Sequence, residues 1–304
     1  MKLSQVPRPF ICAVIIEPDP AHAAAAIKLG EADGAQAFEL NVAPFPTRYR
    51  NRAALASVFR ATSRPIFTTF RRNAYAVASM GSGDAVSDEA RMQTQLDLVD
   101  VGSVGFDMEM DTFDPVPGPA FNSEEGLRYS HDPSSPPREV THDARALDRQ
   151  REVVAVAHRR GGEVMASAHT LTRTSTEGVL QICRQAEELG CDHLKVVRFN
   201  ASPEDLVDTL ATTVALQRHA KIPYVMMAMG EYGKLSRLMA PLVGSMLCYC
   251  KHTYGPESFF DQPLIRSAKA VLENVDYRIT PRAQEFAPEW FRRQDAGTPV
   301  AIAR

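Results

Sequence analysis

Short apolar runs alternate with amphipathic stretches along most of the chain. Phe10 to Ile16, Ala37 to Val42, Pro65 to Phe70, Val104 to Met110, Glu163 to Ala168, His193 to Val197, Pro223 to Met229 and Val243 to Tyr249 are each brief and largely apolar. A parallel strand buried on both faces reads this way. Helical periodicity fills the intervals, as at Asp88 to Val99, Asp143 to Arg159, Thr176 to Leu189 and Pro203 to Gln217. The last of these opens on Ser202-Pro203-Glu204-Asp205, a serine cap followed by a first-turn proline and early acids. Eight strand-helix units over roughly 270 residues predict an α/β fold of the (β/α)8 TIM-barrel kind rather than an open sheet. No repeat of fixed length accompanies them.

Two regions break the rhythm. Residues 111–142, DTFDPVPGPAFNSEEGLRYSHDPSSPPREVTH, are rich in proline, serine and charge and follow the fourth strand. In a barrel such a loop leaves from the catalytic face, so it is expected to be either a lid or a disordered insertion. The tail from residue 279 sets Trp290, the only tryptophan, beside Phe286 and Phe291. That apolar density predicts docking on the barrel or on a neighbouring subunit. The expected organisation is one barrel domain over residues 1–278, with the insertion at about 111–142 and a packing tail over 279–304; the expected assembly is a homodimer.

Composition narrows the classes of function. The chain has 304 residues, 44% of them hydrophobic, and a formal net charge of −3 with its basic residues scattered. A nucleic-acid partner is not expected from that distribution. No stretch approaches the roughly 20 apolar residues of a membrane helix, and MKLSQVPRPF lacks the apolar core of a secretion signal. A cytoplasmic protein without membrane contact is expected. Its five cysteines lack CxxC spacing and predict reduced thiols packed mostly in the core.

Lys195 adds chemistry to this picture. It lies in Cys191-Asp192-His193-Leu194-Lys195-Val196-Val197. A lysine there either snorkels to solvent from a strand end or stays in the core, where a desolvated amine is a nucleophile toward carbonyls. Barrel topology adds Glu39 and Asn41 on the second strand, Arg71 and Arg72 after the third, and Asp107 and Glu109 on the fourth. It also adds His169 after the fifth strand, and Ser236 and Arg237 after the seventh. Singly, each has a plain explanation as an ion pair, a helix cap or a solvated face. Together they converge on one opening and predict an active site.

The order of these segments resembles the type I 3-dehydroquinate dehydratases from Phe10 to about Leu272. The resemblance is carried by Phe38-Glu39-Leu40-Asn41-Val42, Phe67-Thr68-Thr69-Phe70-Arg71, Met165-Ala166-Ser167-Ala168-His169 and Asp192-His193-Leu194-Lys195-Val196. Ser236-Arg237-Leu238, Gly244-Ser245 and the pair Ser258 and Gln262 complete it. It implies a Schiff-base-forming hydro-lyase that needs no cofactor and no metal and acts on a small-molecule keto acid. Lys195 would form an iminium, and His169 would move the protons. Arg237 would clamp a substrate carboxylate, while Ser258 and Gln262 would close over the substrate. Glu39 and Arg71 would contact ring hydroxyls, and the surroundings of Lys195 are expected to be cationic.

Departures from the family pattern bear on the substrate. Asn41 replaces an arginine, Ala43 stands where an acid is usual, and Tyr75 replaces the glutamate that steadies the histidine. These changes predict slow use of 3-dehydroquinate unless Tyr75, or a carboxylate from another loop, orients His169. Better turnover is expected of a carboxylated β-hydroxyketone with a different hydroxyl pattern or a bulkier substituent. Three other readings compete with a dehydratase: a sister lyase or aldolase on another keto acid, a metal-dependent lyase or isomerase using Glu39, Glu109 and His169, and a non-catalytic binder. The metal reading leaves Lys195 without a role.

Overall fold

Eight parallel strands alternate with helices and curl into a barrel: β1 (Phe10–Ile15), β2 (Ala37–Asn41), β3 (Ile66–Thr69), β4 (Gly105–Glu109), β5 (Glu163–His169), β6 (His193–Phe199), β7 (Tyr224–Met229) and β8 (Leu247–Cys250). The structure is a computed structural model describing residues 1–72, 86–119, 124–132, 134–170, 172, 174–255 and 260–275. Tyr75, Ser258 and the 279–304 tail lie outside the described residues. The strands pair in the order β7-β6-β5-β4-β3-β2-β1-β8. Between β7 and β8 the described residues form no ladder, but two hydrogen bonds span the seam. Met246 N–H donates to the Tyr224 carbonyl at 2.8 Å, and Met226 N–H donates to Ser245 Oγ at 3.1 Å. Gly244 turns beside this seam at φ +128°, where a Cβ would lie 2.4 Å from the Tyr224 hydroxyl, so glycine is required. The expected eighth strand, Val243 to Tyr249, is corrected here. Ala240–Val243 forms a 3-10 turn and the strand begins at Leu247.

Local signals place the helices. They are α1 (Pro20–Asp33), α2 (Arg52–Phe59), α3 (Asp88–Val99), α4 (Glu124–His131), α5 (Ala144–Arg159), α6 (Thr176–Glu188), α7 (Pro203–His219), α8 (Gly233–Met239) and α9 (Ile265–Val275). Ser87, Asp143, Ser175 and Ser202 each accept a first-turn backbone N–H at the starts of α3, α5, α6 and α7. Ser202 and Asp205 form a reciprocal capping box. Capped starts of this kind end the βα loops at defined points, which holds the strands' C-terminal ends in register.

Side-chain alternation divides the barrel into an inner and an outer set. Phe10, Cys12, Val14, Phe67, Met165, Val197, Val225, Met227, Leu247 and Tyr249 fill the interior with Leu3 and Val6 of the N-terminal segment. The opposite parity packs against the helices. Glu163 and His193 stand at the bottom, 3.2 Å apart, and Glu163 also accepts from the Ser4 hydroxyl and backbone N–H. Higher on the inward parity come Glu39, Asp107, Glu109, Ser167, His169 and Lys195, all buried. Apart from the Glu163–His193 pair at the bottom, this set lies in the upper interior, where the strands end.

The insertion is built onto this mouth at both ends. Thr141 N–H donates to the Met110 carbonyl at 3.1 Å, and Arg138 N–H donates to the Thr170 carbonyl at 3.4 Å. Gln150 Nε2 bonds the carbonyls of Met110 and Thr112, while Arg138, Glu139 and Thr141 are buried. Helix α4 lies inside it. Residues 138–141 of the insertion are packed at the mouth rather than disordered. Among the described residues no helix is long and apolar enough to cross a membrane. All five cysteines are buried and free, as expected.

Candidate active site

Lys195 is 3% exposed, so it does not snorkel to solvent. Register explains its setting: it lies beside Ser167 of β5 and Val225 of β7. Its ammonium donates to Asp107 Oδ2 at 2.7 Å, stands 3.9 Å from Glu39 Oε1, and lies 5.4 Å from the centre of the Tyr249 ring. The expectation of cationic surroundings is corrected, because the nearest charged partners on the fourth and second strands are carboxylates. A buried amine is tolerated when carboxylates and an aromatic face replace its water.

Asp107 joins the groups around the lysine. Its Oδ1 accepts from the Ser167 hydroxyl at 2.6 Å, and its Oδ2 is shared by Lys195 and by Arg71 Nη2 at 3.3 Å. Arg71 also lies 3.5 Å from Glu109 Oε1, whose other oxygen takes Arg91 Nη1 at 2.6 Å. Burial disfavours both carboxylates' charge. Arg71 and Lys195 nonetheless hold the Asp107 carboxyl below its ordinary value, and Arg91, Arg71 and Arg72 do the same for Glu109. Glu39 accepts from the Thr69 hydroxyl at 2.8 Å.

His169 ends β5 with its ring fixed from the insertion. Glu139 Oε2 lies 2.6 Å from His169 Nδ1 and accepts the His169 backbone N–H at 3.0 Å. Burial, with Arg71 and Lys195 nearby, pushes the imidazole well below its ordinary value. Burial and the charge of Glu109 push the Glu139 carboxyl up to about 7. The site therefore holds His169 toward its neutral form, with Nδ1 at the Glu139 carboxyl.

The remaining candidates divide. Arg237 on α8 is buried, with Nη1 on the Met227 sulfur and Nη2 on Asp261 Oδ2 at 2.9 Å. Gln262 is buried in the adjoining segment. Asn41 caps its own turn, its Oδ1 accepting Ala43 N–H at 3.0 Å. Two further candidates are engaged by neighbouring groups of the barrel. Arg72 turns to Asp111 in a two-pronged pair at 2.7 and 2.8 Å, and Ser236 Oγ bonds Ala228 N–H and the Gly233 carbonyl. Sequence reasoning gave no role to Ser167, Tyr249, Asp261 or Glu139. Period-two counting back from His169 reaches Ser167, whereas nothing in a proline-rich loop marks Glu139.

The fold and site together define a (β/α)8 barrel with a buried strand-borne lysine, an acid bridging it to an arginine, and a carboxyl-oriented histidine at the mouth. The family model for type I 3-dehydroquinase matches residues 11–277, and the chain belongs to that family. A 3-dehydroquinate dehydratase of Klebsiella pneumoniae is 30% identical over 125 residues, 40% of this chain and 49% of the relative. One of Syntrophotalea carbinolica is 32% identical over 102 residues, 33% of this chain and 40% of the relative. The chain thus spans about half the length, or less, of these curated relatives. The 3-dehydroquinate dehydratase structure of Geobacillus kaustophilus aligns at TM-score 0.69 and 19% identity, covering 91% of this chain and 96% of that one. The type I enzyme of Clostridium difficile, solved with covalently modified comenic acid, aligns at 0.67 and 20%, covering 89% and 93%. These two likenesses establish the barrel fold.

Proposed function

We propose that the protein is a Schiff-base-forming hydro-lyase that removes water from 3-dehydroquinate or a related cyclic β-hydroxyketone. The observation that carries this reading is Lys195 buried beside Asp107, two strand positions below the layer of the Glu139-bound His169. Lys195 adds to the ring ketone and water leaves, giving an iminium that draws electrons from the neighbouring carbon. His169 Nε2 takes a proton from that carbon, forming an enamine. The enamine expels the β-hydroxyl, which leaves as water with the proton returned by the imidazolium. Hydrolysis of the conjugated iminium frees the enone and regenerates the amine. Asp107 and Arg71 orient the lysine side of the pocket, and Glu39 borders it.

The family relation and the names of its relatives support this activity, and no step calls for a cofactor or a metal. The reading keeps one barrel domain over residues 1–278, a cytoplasmic location and a homodimer. The test is the appearance of the enone's ultraviolet absorbance when 3-dehydroquinate and ring-substituted analogues are supplied. We expect turnover of at least one, abolished by Lys195→Ala and reduced roughly 10^2-fold or more by His169→Ala. Absence of enone from every cyclic β-hydroxyketone tested would refute the reading.

A further inference from the structure

The β7 side of the mouth carries a charge arrangement of its own. Met227, which receives Arg237 Nη1, pairs with Val197, and Val197 pairs with His169. Arg237 therefore sits at the histidine's layer, across β6 and one inward step above the level of Lys195. Its Nη2 is already bound to Asp261 Oδ2 at 2.9 Å, with both side chains nearly buried, at 6% and 10% exposure. The position of Asp261 is fixed by its surroundings. Gly233 of α8 brings the helix so close that a Cβ there would stand 3.3 Å from Asp261 Cβ, and Tyr254 holds the Gln262 carbonyl at 2.8 Å.

Three polar atoms in this corner are buried and have no partner among the described residues: Arg237 Nε, Asp261 Oδ1 and Gln262 Oε1. One is a donor and two are acceptors. A ligand carboxylate brings acceptors only. It could satisfy Arg237 Nε, but it would leave both acceptors unmet and set a second negative charge beside Asp261. Displacing Asp261 instead would strand a buried carboxylate without its counter-ion, the costly way to break such a pair. A hydroxyl or carboxamide, which donates and accepts, meets both kinds of atom without added charge.

We infer that Asp261 determines specificity: it occupies the guanidinium edge of Arg237 as a built-in counter-ion, so that this end of the pocket takes a neutral, hydrogen-bond-donating substituent in place of a carboxylate. That the ligand is a substrate rests on the lyase reading above, but the binding preference does not. The preferred ligands are cyclic β-hydroxyketones bearing a carboxamide, hydroxyl or hydroxymethyl group where 3-dehydroquinate bears its carboxylate.

The test compares 3-dehydroquinate with its primary carboxamide, a near-isosteric pair that differs in charge and donors. Dissociation constants are measured by calorimetry in a Lys195→Ala background, where no imine forms, with Asp261 intact and with Asp261→Asn. With Asp261 intact, the carboxamide should bind roughly tenfold tighter or better. Asp261→Asn should tighten 3-dehydroquinate by roughly tenfold or more and remove the preference; Asp261→Gly should do the same if the asparagine variant misfolds. Equal or tighter binding of 3-dehydroquinate with Asp261 present, no binding of either probe at millimolar concentration, or an unchanged ratio on substitution would overturn the inference. Borohydride trapping on Lys195 reads the lyase chemistry separately.

Discussion

Glu139 reaches His169 twice through one oxygen, 2.6 Å from the ring Nδ1 and 3.0 Å from the backbone nitrogen. It does so from a left-handed backbone position, φ 57°, which costs a non-glycine residue on the order of 1 kcal/mol. Packing of Arg138 and Thr141 into the mouth keeps it there. The carboxyl group that contacts His169 thus comes from the insertion.

If that contact positions the imidazole, Glu139→Gln should lower kcat roughly 10- to 100-fold with little change in KM. Glu139→Asp should recover part of the loss and shift the acid limb of the pH-rate profile. Steady-state kinetics on all three proteins, across pH, would show this. An unchanged kcat and profile in the glutamine variant would reduce the contact to a structural one.

Stability should carry the same signature. The Glu139 carboxyl is raised from its ordinary 4.5 to about 7 by burial and by Glu109. A raised group contributes stability that is full below its unfolded value and lost as pH climbs through the folded one. The melting-temperature advantage of the native chain over Glu139→Gln should therefore shrink between about pH 5 and pH 8, by the equivalent of on the order of 3 kcal/mol. Asp111 is also raised to about 7, by burial and then by the charge of Glu139, so its titration changes with the variant and adds to the difference in the same direction. A constant difference across that range would contradict the assigned environment.

At the closed end of the barrel the sign reverses. Burial alone would raise the Glu163 carboxyl, but His193 and Ser4 bring it down to about 2. A depressed group stabilises above its unfolded value, near 4.5, and loses that effect as pH falls through the folded one. Glu163→Gln should cost about 1–3 kcal/mol at neutral pH, and less near pH 3. Denaturant titration at the two pH values checks it, and equal stability of variant and native chain at neutral pH would refute the bottom-side role.

Activity should survive exhaustive chelation. The iminium already serves as electron sink, and Glu109, a ligand in the competing metal reading, is engaged by Arg71, Arg91 and the Arg72 backbone. Loss on chelation with recovery on adding manganese, magnesium or zinc would favour the metal reading instead.

The strands, the capped helices and the inward polar positions were legible because burial imposes period two on a strand and its capping residues sit next to each helix. Lys195, His169, Glu39 and Arg71 stand at or just beyond the strands' C-terminal ends, where the strand pattern makes them candidates. Their partners were not legible in this way. Asp107 and Glu109 were identified as mouth residues, but their pairing with Lys195 and Arg91 depends on which side chains meet across the interior, and sequence spacing does not encode it. Glu139 is about 30 residues from β4 in a segment without period. Asp261 is an ordinary loop acid until α8 brings Arg237 to 2.9 Å. The eighth strand was misjudged because Val243 is as apolar as a strand residue, yet it closes a 3-10 turn ahead of Gly244.

The central claim is that Lys195 bonds covalently to its substrate, and reduction tests it most directly. Incubation with a cyclic β-hydroxyketone that the protein turns over, followed by borohydride and peptide mass spectrometry, should place a secondary-amine adduct on Lys195, absent in a folded Lys195→Ala protein. An adduct on Lys234 or Lys251 instead, or undiminished turnover with no adduct on any lysine, would contradict the account.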